Sequence, residues 1–252
     1  MINSVRNTVL SVLNKNNYGY ISPSDFNLYA KQAQMELFEE YFSSYNKVIN
    51  SENARQSGVD YANIKRPISE TLESFSETKP LAQVAVDTNK FYVPSLTTTG
   101  DTYYMINKVL CYKLVGEDLS YLGEAEKVTL SRITMLNASL LTAPSEMFPA
   151  WVQEGEVITI YPSTINSEDS LVAQYFRHPK DPKWTYITLV NGEPVFDQSQ
   201  LDYQDFELPL EDEYKLAMKI LQYCGVSIRE QEVVQFGMAQ EQHEQPTFSQ
   251  QQ

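Results

Sequence analysis

Apolar and polar positions alternate in three regimes along the chain. Near the start, Val5, Val9, Leu10, Val12 and Leu13 fall mostly on one side of a short helix over residues 2 to 14. Next, Phe26, Tyr29, Ala30, Ala33, Leu37, Phe38, Tyr41, Phe42, Tyr45, Val48 and Ile49 recur at steps of three and four. They predict an amphipathic helix over 23 to 49, about 40 Å long at 1.5 Å per residue. Polar residues 50 to 63, with Gly58, predict a loop. The segment IKRPISETLESFSETKP follows, with Pro67 able to open a short helix and Pro80 closing the segment.

From Leu81 the period shortens. LAQVAVDTNKFYVP predicts two short strands around Asp87–Thr88–Asn89, and DTYYMINKVLCYKLV a longer strand rich in Tyr, Val and Ile. GEAEKVTLSRITMLNASLL fits both periods, and a helix is expected over 124 to 137. PAWVQEGEVITIYP predicts a hairpin turning at Glu154–Gly155. SLVAQYFRHP and KWTYITLVNGEPVF add strands, with Asn191–Gly192 as a hairpin turn. Helical spacing returns at Tyr214, Leu216, Ala217, Ile220 and Leu221, with Gly225 closing that helix and SIREQEVVQFGMAQ forming a last one.

The expected class is α+β, with N- and C-terminal helices forming a helical body that carries a central β-rich insertion. The regions are 1–80 (helical), 81–210 (β-rich), 211–238 (helices packing on the first region) and 239–252 (an extended tail). The tail is Gln-rich with Phe248 as its only aromatic. Alone it cannot bury enough surface to order, so it is expected to lie on a neighbouring subunit or on an adjoining protein of the same assembly.

Composition narrows the function. With 33 acidic and 19 basic residues the formal charge is −14, which argues against gripping nucleic acid by phosphate neutralisation. It allows a protein that surrounds DNA without holding it. Cys111 and Cys224 are far apart in sequence, no disulfide framework and no zinc site, and read as buried thiols. The first residues lack the apolar core of a signal peptide, and no stretch approaches the ~18 apolar residues of a membrane span. The expectation is assembly in a cytoplasm, with no membrane contact.

Candidate chemistry is sparse. NKNNYGYISPSDF, residues 14 to 26, has the outline of an EF-hand loop, but Asp25 is the one carboxylate at its coordinating positions. That is too little charge to hold calcium. Ser22 as N-cap, Pro23 at the first helical position and Asp25 at N3 instead form a variant capping box. His178 and His243 are far apart, and no HExxH, GxSxG or P-loop occurs. The acidic pairs read as solvated faces, so no catalytic residues, cofactor or metal are expected. In FRHPKDPKW, Arg177, His178, Lys180, Lys183 and Trp184 form the densest basic patch. It is either a rigid proline-rich loop or a contact loop with Trp184 as anchor; Phe248 of the tail is the other expected contact residue.

Four segments together resemble a known family: GYISPSDFNLYAKQAQMELFEEYF, TAPSEMFPAWVQEGEVITIYPSTI, YFRHPKDPKW and FELPLEDEYKLAMKILQYCGVSIRE. They are similar to head-to-tail connector ring (adaptor) proteins of crAss-like and podovirus-like tailed bacteriophages. The resemblance covers most of the chain, and none of its motifs is catalytic. It implies a virion protein below the portal and a ring homo-oligomer, a dodecamer. The implied partners are the portal protein and other connector or tail proteins, with DNA passing through. Two other classes remain open from the residues: a calcium- or glycan-binding module, and a virion-carried carboxylate hydrolase.

Overall fold

The computed structural model describes residues 1–15, 21–55, 65–86, 88–115 and 118–228. Two compact units emerge: Met1–Thr71 with Pro179–Gln252, and Leu72–His178. The first holds α1 (Ile2–Lys15), α2 (Pro23–Arg55), the hairpin β8 (Tyr186–Thr188) and β9 (Pro194–Phe196), a 3₁₀ turn (Leu210–Asp212) and α5 (Glu213–Ile228). Helix α3 (Lys65–Glu73) runs across the division between the units.

In the helical unit, α5 packs against α1 and α2. Val5, Val9, Phe26, Ala30, Ala33, Leu37, Leu216, Ile220 and Leu221 are buried at helical spacing, which is what an amphipathic face requires. Polar groups fix the α2–α5 register. Lys219 Nζ lies 3.2 Å from Glu36 and 2.8 Å from Glu40, and the Tyr223 hydroxyl donates to Glu36 at 2.9 Å. Tyr41 donates to the buried Asp212. Burial first, then the Asp212 hydrogen bond and nearby carboxylates, raise the Tyr41 phenol well above its ordinary value.

The second unit is built on a seven-stranded sheet in the order β1-β7-β3-β4-β5-β6-β2. Its strands are β1 (Ser76–Pro80), β2 (Lys90–Tyr92), β3 (Tyr103–Val115), β4 (Asp118–Lys127), β5 (Ala150–Glu154), β6 (Val157–Tyr161) and β7 (Leu171–Arg177). All neighbours are antiparallel except β4 and β5, which pair in parallel over two residues, Glu126↔Ala150 and Lys127↔Trp151. Bulges place an extra residue in β4 at Leu122, opposite Cys111–Tyr112, and in β3 at Tyr104 and Asn107; such extra residues bend a strand and increase its twist. Along β7, Leu171, Ala173 and Tyr175 face the main core with Phe91, Val109, Cys111, Trp151, Ile158 and Ile160. On β5, Ala150 and Val152 face away from Trp151, toward Val128 after β4 and toward Ile133 of the short helix α4 (Leu130–Asn137).

The expected helical body with a central β insertion is corrected: a large seven-stranded sheet dominates, accompanied by five helices among the described residues, and the class is α+β only broadly. The period misled at two places. SETKP, placed within the helical region 1–80, is the edge strand β1, held by backbone pairing with β7. Residues 124–127, joined to a helix, are the end of β4, and α4 starts only at Leu130. The units also divide at 71/72 and 178/179, away from the changes of period at 80/81 and 210/211, because the β8–β9 hairpin belongs with the helices. Helix α5 continues through Gly225 rather than ending there, and α2 runs on to Arg55. Residues 16–20 of the EF-like loop, the last helix beyond Ile228, and the tail lie outside the described residues.

Candidate functional site

The cap at the start of α2 forms as the residues dictate. The Ser22 hydroxyl oxygen accepts the Asp25 amide at 3.2 Å and its O–H donates to the Asp25 carboxylate at 2.6 Å. A glutamate at that position reaches back to the N-cap amide. Asp25, one methylene shorter, takes the Ser22 hydroxyl instead. Pro23 occupies the first helical position, where its missing N–H is not needed.

The basic segment divides between the units. Arg177 and His178 end the sheet unit. Arg177 Nε donates to Glu77 at 3.1 Å, its guanidinium lies 5.8 Å from the Phe75 ring, and the His178 ring meets Tyr104 edge-on at 5.3 Å. Residues 180 to 184 run along one face of α2. Asn27 holds the Trp184 backbone at both ends (2.8 and 3.2 Å), Lys31 pairs with Asp181 at 2.7 Å, and Gln34 donates to the Lys180 carbonyl at 2.8 Å. Positions 27, 31 and 34 share one helix stripe. Lys183 pairs with Asp202 at 2.5 Å, while the Lys180 side chain is exposed.

Trp184 is the main correction. It is 2% exposed, so its indole is a core group of the helical unit and presents no face to a partner. The ring stacks in near-parallel fashion on Tyr186 (5.6 Å) and Phe196 (6.0 Å), and the Arg6 guanidinium lies over it, 3.8 Å from its centroid. Its Nε1–H donates to Asn3 at 3.1 Å. The signal was present in the sequence. Trp184 and Tyr186 are two apart, so they share a face, and Phe196 returns to it across the Asn191–Gly192 turn as the partner of Tyr186. Phe248 lies outside the described residues.

Neither cysteine is a reactive thiol. Burial pushes Cys111 and Cys224 each up to about 12, where a thiolate is scarce at neutral pH.

Two exposed apolar segments were not anticipated. In the sheet unit, Leu130, Met135, Leu140, Leu141, Met147 and Phe148 stand on and after α4, with Leu140 wholly exposed. The segment is tied down: Glu146 binds Lys113 of β3 at 2.7 Å and accepts from Thr164 at 3.0 Å. Lys113 first, then Thr164, hold the Glu146 carboxyl below its ordinary range. In the helical unit, Ile187, Leu189, Val190, Val195 and Leu201 stand on and beside the β8–β9 hairpin, with Val190 and Leu201 fully exposed. Gly192, at φ 83°, supplies the left-handed residue of its turn. Exposed apolar clusters of this kind mark interaction sites, whereas singly scattered apolar residues do not.

Among the described residues no helix is long and apolar enough to cross a membrane. No family model matches the chain, and no curated protein matches it.

Proposed function

We propose that the chain is a structural virion protein, a subunit of a ring in the head-to-tail connector of a tailed bacteriophage, joining capsid to tail around the DNA channel. The observation that carries this reading is the pair of exposed apolar segments, one on each unit, with different sequences and supports. A ring closed by rotation needs two different faces per subunit, whereas a two-fold dimer needs one self-complementary face. The segment resemblance given above supplies the connector context. The excess of acid fits a DNA channel: carboxylates facing phosphates repel them and leave DNA free to slide, with the effect confined to roughly 8 Å at physiological salt.

The expected partners are further copies of the chain in a dodecamer, the portal protein, and other connector or tail proteins. Class averages of the purified chain with its portal, together with the native mass, test the reading. A closed ring stacked on the portal is the expected result. A chain that stays monomeric at tens of micromolar, with and without portal, refutes it.

A further inference from the structure

The two apolar segments differ in the charge each leaves free. Between Val128 and Ala150 the sequence holds two charged residues, Arg132 and Glu146. Glu146 is occupied by Lys113. Arg132, exposed on α4, takes part in no ion pair among the described residues. Between Thr185 and Tyr203 the charged residues are Glu193, Asp197 and Asp202. Asp202 is occupied by Lys183, and Asp197 accepts from Ser199 and Gln200. Glu193, exposed at the hairpin turn, takes part in no ion pair among the described residues. One apolar surface therefore carries one cation without an ion pair, Arg132, and the other carries two such anions, Glu193 at the turn and Asp197, whose hydrogen bonds from Ser199 and Gln200 leave its charge in place.

The exposed area of segment 130–148 also suits an interface between copies. Six side chains exposed to the degree of Leu130, Met135, Leu140, Leu141, Met147 and Phe148 present on the order of 800 Å² of largely apolar surface, the share of one partner in a standard interface. Both segments are ordered before contact, one by Glu146 and the other by the β8–β9 ladder, so little rotamer and backbone freedom remains to be lost.

We propose that segment 130–148 of one copy seats on the β8–β9 hairpin of the next, with Arg132 of the first against Glu193 of the second. This rests on the ring reading and names the subunit-to-subunit contact within it. The contact is heterologous: the same two segments meet at every junction, and each copy contributes one of them. Leu140 and Leu141 enter the apolar part, and the ion pair at the rim fixes register and excludes the self-pairing of either segment, which would set like charges together.

Charge reversal tests it. R132E and E193R are each expected to weaken assembly about tenfold or more, measured by mass distribution against protein concentration at fixed salt. The double variant R132E/E193R is expected to return within about threefold of the wild type. Leu140→Asp is expected to prevent assembly, with the unfolding midpoint of the isolated subunit unchanged. Hydrogen exchange is expected to slow at 138–148 and 187–195 on assembly. Rings formed equally well by R132E and E193R, or a double variant as impaired as the two singles combined, overturn this pairing and leave the ring reading standing. A wild type that stays monomeric refutes both, as does burial of the two segments on lipid vesicles in place of assembly.

Discussion

Replacing Trp184 by alanine empties a site enclosed by Tyr186, Phe196, Arg6 and Asn3. Truncating a buried Trp costs about 3–5 kcal/mol through lost transfer energy and the cavity left behind. Two stacked rings add roughly 0.5–1.5 kcal/mol each beyond area, and a desolvated guanidinium over an indole about 2 kcal/mol. Overlap between these terms places the expected loss near the top of the truncation range, about 4–5 kcal/mol. Whole domains are stable by about 5–15 kcal/mol, so the helical unit should lose much of its margin. The two tryptophans, one in each unit, make this measurable. In the Trp184→Ala chain, fluorescence reports Trp151 and the sheet unit alone. Far-UV circular dichroism reports mainly α1, α2 and α5. The expected result in urea is an early helical transition with a nearly unchanged Trp151 transition. Trp184→Phe keeps an aromatic ring and loses the bond to Asn3, so it should cost much less than the alanine. A Trp184→Ala chain destabilised by less than about 1 kcal/mol yet unable to assemble would refute the core assignment and return Trp184 to an interface.

Ser22→Ala should cost about 1 kcal/mol of helical-unit stability, and Asp25→Ala should also weaken α2; micromolar calcium should leave the wild-type melting temperature unchanged, and a calcium-dependent rise would refute the capping account. Burial pushes the Asp205 carboxyl up, but hydrogen bonds from the Met1 ammonium and the Ile2 and Phe206 amides outweigh it and hold it below the usual 3.8. A depressed folded value means stability is present above the unfolded value and lost as pH falls through the folded one. Urea midpoints should therefore drop below about pH 4, less so in Asp205→Asn, and an unchanged slope in that variant would remove Asp205 from the account.

Legibility from sequence followed the strength of the period. Helix α2 and strands β3, β5, β6 and β7 stood out because burial on one or both faces selects side chains at fixed steps. Strand β1 left no trace, since SETKP is held by backbone pairing with β7 and by ion pairs of Glu77 and Lys79, neither of which leaves an apolar period. Gly225 illustrates the limit of punctuation signals, because tertiary packing of α5 carries the helix through a residue that would end it in isolation. For the candidate surfaces, residue type misled. Trp184 and its basic neighbours drew attention as a contact loop, yet Asn27, Lys31 and Gln34, spaced along one side of α2, bind that loop to its own chain. Their spacing was readable, but polar residues at helical steps carry no label of what they hold. The apolar residues at 140, 141, 147 and 148 sit outside any period, so only exposure in the fold distinguished them from core.

The join between β4 and β5 gives the sheet unequal strength along its width. On one side β1, β7, β3 and β4 are laced by ladders of five to seven residue pairs, and on the other β5, β6 and β2 by five and three. Two pairs alone cross the join, where the Glu126 and Val128 amides donate to Pro149 and Trp151 at 2.9 Å. Local opening follows the line of fewest bonds, so this join is where the sheet yields first under a pull across the strands. Because α4 and the apolar segment after it connect the strands on either side of that line, a neighbour gripping the segment would transmit force to the weakest seam in the sheet rather than to its rigid ladders.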